Sequence, residues 1–208
     1  MFHPKDLTRH AGRTILDPRT WLFPAAILAL SIAIELGGDP LWLLLRYERG
    51  AILYQGEVWR LVSGHLAHLG WRHLLLNGAG LVLVWLLTGS GMTVGRWIAA
   101  SVVTIAGIDL GFLLLEPELG WYVGLSGLLH GLLAAGLVAG FAARPVESVL
   151  IGAGLLAKVV YEQMAGPMPG SAQVAGGNVI VSAHFYGTLA GIPGGLLATV
   201  GLGRGPRI

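Results

Sequence analysis

A serine set among glycines at the head of an apolar run, in the stretch 122–131 (Tyr-Val-Gly-Leu-Ser-Gly-Leu-Leu-His-Gly), is the residue of this chain best suited to nucleophilic chemistry. Gly124 and Gly127 leave room for a substrate carbonyl beside Ser126, and the unpaired N–H groups of a helix start can hold a developing oxyanion. A serine hydroxyl needs a base. His184, in the small-residue stretch 182–191, is the candidate. His73 and Asn77 stand four apart, on one helix face, which suits two donors aimed at one oxygen. With the Ser126 N–H they would form an oxyanion hole, each donor typically worth about 3 kcal/mol. No acidic third member is apparent, so the expectation is a Ser126/His184 dyad. Each residue also has a purely structural reading. A glycine-flanked serine in a membrane helix packs or bonds the preceding turn, and His73 and Asn77 can serve as interhelical hydrogen bonds.

The elements that must position these residues belong in a bilayer. Of 208 residues 54% are hydrophobic and only 12% charged, which excludes an ordinary soluble domain. Thirty-three glycines suit closely approaching membrane helices. The absence of cysteine excludes disulfides, thiolate metal sites and cysteine nucleophiles, and a formal charge of +2 is too small to argue for nucleic acid.

Hydropathy and turn residues predict an all-α membrane protein of six transmembrane helices, organised as a cytoplasmic segment 1–20, a membrane domain 21–203 and a short basic tail 204–208. The expected spans are 21–37, 71–87, 95–115, 121–142, 146–164 and 182–202. Segment 41–59 mixes leucines with Arg46, Glu48 and Arg49, and is expected in the interface plane. The N-terminal basic residues, Arg96, Arg144, Arg204 and Arg207 fall on one side, which predicts both termini in the cytoplasm. Arg46, Arg49, Arg60 and Arg72 oppose that rule from the first outer loop. With this topology spans two, four and six begin on the outer side, which puts His73, Asn77, Ser126 and His184 at one depth. Four costly polar groups at one level suggest a site.

These residues resemble the rhomboid family of intramembrane serine proteases. Gly56-Glu57-Val58-Trp59-Arg60 looks like the family's loop motif, and His68, His73 and Asn77 match its H-x4-H-x3-N pattern. Gly124-Leu125-Ser126-Gly127 matches G-x-S-G, and His184, Gly187 and Gly191 match H-x2-G-x3-G. The resemblance covers about 56–195, with the motifs in the family's order. It implies a six-helix rhomboid-like bundle, a Ser126/His184 dyad, oxyanion support from His73 and Asn77, no cofactor, and cleavage of membrane-anchored proteins. The small chain, His130 and the stretch 158–163 are closer to the rhombosortase branch. That branch implies removal of C-terminal tails with a Gly-Gly type motif, an apolar span and a basic end. It also implies a bacterial inner membrane with the site facing the periplasm or exterior.

Other polar residues invite roles around the site. His130 lies one turn beyond Ser126; it competes as base or hydrogen-bonds within the core, and the second is favoured because side chains on one helix rarely align for proton transfer. Lys158 and Glu162 form an i,i+4 pair that either lines the substrate's approach or locks spans five and six. Asp109 has no partner that the sequence identifies. A rhomboid-like protein that escorts membrane proteins without cutting them is the alternative function, opposed by the presence of both Ser126 and His184. A metal-dependent hydrolase built on His65, His68 and His73 lacks the usual His-x3-His spacing and an adjoining acid.

Overall fold

The computed structural model describes residues 18–200. Most of the expected segment 1–20, the tail 204–208 and the end of 21–203 lie outside the described residues. A short 3-10 turn, Pro18–Trp21, leads into α1 (Leu22–Leu36). Segment 41–59 then breaks into short pieces: α2 (Gly38–Leu45), strand β1 (Tyr47–Glu48) and α3 (Arg49–Gln55), followed by α4 (Arg60–Ser63). The cations of this region are held by other parts of the chain. Arg60 donates to the Leu43 and Arg46 carbonyls at 2.8 and 2.9 Å, and Arg49 donates to the Phe112 and Leu113 carbonyls, both at 3.0 Å. Arg46 pairs with Glu48. Three of the four arginines that oppose the orientation rule are thus engaged by carbonyls and carboxylates of the chain itself.

The long helices follow as α5 (Trp71–Thr88), α6 (Val94–Leu115), α7 (Ser126–Gly140), α8 (Pro145–Ala165) and, after the short α9 (Ser171–Ala175), α10 (Val181–Val200). Among the described residues four helical segments are long and apolar enough to cross a membrane: Pro18–Leu36, Trp71–Gly91, Val94–Leu115 and Pro145–Ala165. Helix α7 has 15 residues and falls short of that length. It begins at Ser126, not at 121 as the hydropathy suggests. Trp121–Tyr122 form β2 instead, antiparallel to β1 with Tyr47 opposite Tyr122, and Gly124 takes φ +133°, which a helix cannot accommodate. The expectation of helix alone is corrected by this two-residue pairing, and it delays the helix so that Ser126 occupies its first position.

Helix α10 is the centre of the bundle and packs most closely against α7 and α6. Glycine makes that approach possible. A Cβ at Gly187 would fall on the Gly127 carbonyl, and one at Gly191 on the Gly131 carbonyl, so the two backbones touch at successive turns. Trp85, Trp97, Leu81, Leu128 and Leu132 fill the core on the other face of α7. Helix α8 packs more lightly, against α7 and α10. An apolar groove of about 500 Å³, lined by Ala134, Leu137, Leu155, Leu156, Thr188 and Ile192, separates the three helices below the polar cluster described next.

Candidate active site

The backbone contact between α7 and α10 sets Ser126 and His184 face to face. His184 Nε2 lies 2.9 Å from Ser126 Oγ, and His184 Nδ1 lies 2.8 Å from Glu162 Oε2 on α8. A carboxylate only accepts, so Nδ1 carries the proton and Nε2 offers its lone pair to the serine hydroxyl. Glu162 and His184 are both buried. The sequence yields no acidic third member; the structure places one against the histidine, on the helix that the sequence left at the margin of the site.

The hydrogen bonds continue from Glu162. Lys158 Nζ donates to Glu162 Oε1 at 2.7 Å and to His130 Nε2 at 3.0 Å. His130 Nδ1 donates to the Ser126 carbonyl oxygen at 2.7 Å. Five residues therefore form a closed ring, Ser126, His184, Glu162, Lys158 and His130, returning to Ser126 through its own backbone. The donors agree in sense: a carbonyl can only accept, so His130 holds its proton on Nδ1 and presents a lone pair at Nε2 to the ammonium. Lys158 and Glu162 cancel each other's charge, the condition under which such a pair tolerates apolar surroundings. The His130 and His184 rings stack at 4.1 Å with planes 11° apart, so His130 also forms one wall of the His184 pocket.

Two further donors lie on α5, and the first of them, His73, faces Gly124. The Leu69 N–H donates to His73 Nδ1 at 3.2 Å, which leaves the proton on Nε2. A Cβ at Gly124 would come within 2.9 Å of His73 Cε1 and 3.3 Å of Nε2, so this glycine is required both by its φ and by the imidazole beside it. Asn77, one turn along, is buried, and its Nδ2 finds no partner among the described residues. A buried amide donor left free is costly unless a ligand completes it. Tyr122, to which the sequence reading gives no role, donates its hydroxyl to the Gly124 carbonyl at 2.6 Å and fixes the loop immediately before Ser126. Burial raises its phenol above the usual range, which keeps it a neutral donor.

Gly127 lies against the Ala183 backbone and serves helix contact. His65 and Asp109, a pair that the sequence does not link, meet at 3.3 Å beneath Tyr122 and tie the loop after α4 to α6. His68 stacks edge-on against His73 at 5.1 Å. His65 is thus engaged by Asp109 and Tyr122, apart from the other two histidines that the metal-hydrolase alternative requires.

Only one signal could have drawn Glu162 into the site from sequence. It is the acidic member of an i,i+4 pair near the end of a largely apolar helix, where functional placement is the default reading. Its spacing from His184, 22 residues across a loop, carries no pattern. Tyr122 gives no signal at all, because its role depends on the β1–β2 pairing.

No curated protein matches this chain. The family described as Rhomboid domain matches residues 55–200, which includes β1's neighbour α4, the loop histidines and every residue of the hydrogen-bonded ring. That match spans well over half of the chain, together with a mostly helical architecture and four apolar helices long enough to cross a bilayer. The chain is an integral membrane protein that belongs to the rhomboid family of intramembrane serine proteases, which act on membrane-anchored substrates.

Proposed function

We propose that this protein cleaves membrane-anchored substrates with Ser126 as nucleophile, His184 as general base and Glu162 as the residue that positions and charges-balances the histidine. The observation that carries this reading is the continuous line Ser126 Oγ, His184 Nε2, His184 Nδ1, Glu162 Oε2, at 2.9 and 2.8 Å. Ser126 Oγ attacks the scissile carbonyl carbon while its proton passes to His184 Nε2. The resulting imidazolium is stabilised by Glu162 through Nδ1–H. The carbonyl oxygen becomes an oxyanion, received by His73 Nε2–H, Asn77 Nδ2–H and the Ser126 N–H. Collapse breaks the C–N bond, and His184 returns the proton to the leaving amine. A water then attacks the Ser126 ester carbonyl, giving a proton to Nε2; collapse breaks the bond between the acyl carbon and Oγ, Oγ takes the proton back from Nε2, and the acid product leaves.

The fold we propose around this chemistry is the six-span bundle of α1, α5, α6, α7, α8 and α10. Both termini lie in the cytoplasm of a bacterial inner-membrane protein, and the site opens towards the periplasm or exterior. The starts of α5, α7 and α10 then share the outer level, and Arg96 and Arg144, at the starts of α6 and α8, fall on the cytoplasmic side, which supports that orientation. The substrates we propose are secreted proteins with a C-terminal sorting tail of the Gly-Gly type, as in the rhombosortase branch. Support comes from Lys158 and His130, which belong to the features behind that assignment and meet Glu162 and Ser126 at the site.

Two measurements test the proposal. A serine-directed fluorophosphonate should label the detergent-solubilised protein covalently, and Ser126→Ala should abolish the label; label retained by Ser126→Ala removes Ser126 from the role. Mass spectrometry of a Gly-Gly-tailed protein from cells with and without this chain should show the tail removed only when the chain is present. An intact tail in both would reject the substrate class while leaving the protease in place.

A further inference from the structure

We propose that the polar ring is also a divalent-cation site, with His130 Nε2, a Glu162 carboxylate oxygen and His184 Nδ1 as ligands, and that zinc bound there switches the enzyme off by displacing the Lys158 ammonium. The inference rests on the proposed role of His184 as base.

The three side chains bring candidate ligand atoms within 4.8 Å of one another, in a buried setting. Two imidazoles and one carboxylate form a nitrogen-rich set suited to zinc, whereas magnesium and calcium require oxygen ligands. Three protein ligands leave the fourth tetrahedral position to water. His130 is already prepared as a ligand. Its Nδ1–H is committed to the Ser126 carbonyl at 2.7 Å, the outer hydrogen bond that metal-binding histidines characteristically make, and its Nε2 lone pair points inward.

A cation already sits at this spot. Lys158 Nζ lies 2.7 Å from Glu162 Oε1 and 3.0 Å from His130 Nε2, bridging the two atoms a metal would bridge. The ammonium is a compact point charge on a flexible stem, and the Lys158 side chain is 35% exposed, so it can withdraw to water when another cation competes. The His130 and His184 rings lie nearly parallel, with their lone pairs in separate planes, so binding a common ion tilts the two edges towards each other.

Zinc and base catalysis exclude each other through one proton. In the ring as it stands, His184 carries its proton on Nδ1 and accepts from Ser126 at Nε2. To ligate zinc through Nδ1, the neutral imidazole moves that proton to Nε2. No proton is gained or lost, but an N–H then faces Ser126 Oγ where a lone pair is needed. Lys158 keeps its proton and its charge in solvent.

The test uses the full chain in detergent, first stripped with a chelator, then labelled with the fluorophosphonate at increasing zinc chloride. Wild type should lose labelling at micromolar zinc and recover it on chelation, with magnesium and calcium inert. His130→Phe keeps a ring to stack on His184 and cannot ligate, so its labelling, relative to its own metal-free rate, should be insensitive to the same zinc. Lys158→Met should be inhibited at lower zinc than wild type. Serine-dependent labelling that continues unchanged in zinc, or equal inhibition of wild type and His130→Phe, overturns the proposal. If wild type does not label even without metal, the protease reading fails instead. The site is then decided by equilibrium zinc binding to Ser126→Ala with and without His130→Phe or, should that fold poorly, His130→Gln. Zinc bound by the first and not by the second supports the site, and equal binding rejects it.

Discussion

Replacing Glu162 by glutamine changes one charge at nearly constant shape, and so separates the positioning role from a merely structural one. In the native ring Glu162 accepts from His184 Nδ1 at 2.8 Å and from Lys158 Nζ at 2.7 Å. Glutamine offers one acceptor oxygen for these two donors. With that oxygen turned to His184 the tautomer is kept, but the imidazolium formed during attack loses its counter-charge. At about 4 Å between charge centres and an effective dielectric of about 20, that attraction is worth roughly 4 kcal/mol. At 1.36 kcal/mol per tenfold, the acylation rate falls by about three powers of ten. With the amide NH2 turned to His184, Nδ1 becomes the acceptor, the proton moves to Nε2 and the base is lost, a defect of about 10⁴ in triads of this kind.

Stability should respond far less. Removing one partner of a fully buried ion pair costs about 3–5 kcal/mol, but the Lys158 side chain is 35% exposed and can take its charge into water, so the fold loses only about 1–2 kcal/mol. Glu162→Gln should therefore label with fluorophosphonate about a thousandfold more slowly than wild type while melting within a few degrees of it. Glu162→Asp, which retains the charge but shortens the arm, should fall between the two. Glu162 has no part in the chemistry if Glu162→Gln labels within a factor of about three of wild type per folded molecule while its melting temperature collapses. Glu162 would then be a strap between α8 and α10 and nothing more.

Three further outcomes follow from the same geometry. Asn77→Ala removes a donor with no partner in the resting protein, so labelling should slow by about 10²-fold with the melting temperature unchanged; a stability loss without a rate loss would make Asn77 a packing residue. Gly191→Ala places a methyl group on the Gly131 carbonyl, and the forced separation of α7 from α10 should cost about 1–3 kcal/mol and reduce labelling as Ser126 and His184 part; a stable, fully reactive variant would contradict the close approach. His68, in the loop before α5, is buried with neither ring nitrogen paired among the described residues, and burial, with a contribution from neighbouring His73, pushes it down from 6.5 to about 3. The unfolded chain therefore takes up this proton first. Its contribution is intact above pH 6.5 and is lost as pH falls towards 3, by up to about 1.36 kcal/mol per pH unit. His68→Leu should melt with a flatter dependence on pH below 6.5 than wild type, and parallel curves would disprove the assignment.

Ser126, His184, His73 and Asn77 stand out in the sequence as candidates because each sits in a local pattern. Small residues around Ser126 and His184, a four-residue helical spacing and the beginnings of apolar runs all depend on neighbours within a turn or two. The long helices were readable for the same reason, since the bilayer dictates their length and apolarity. What only the tertiary structure decided depends on contacts between segments that have no fixed separation along the chain. The start of α7 at Ser126 follows from Tyr122 pairing with Tyr47, 75 residues earlier. The acid beside His184 comes from α8, and the ring closes only because glycine contacts bring α7 and α10 together while α8 lies across them. Spacing in sequence fixes which side chains share a helix face; it cannot fix which faces meet, because that choice is made by the packing of the whole bundle.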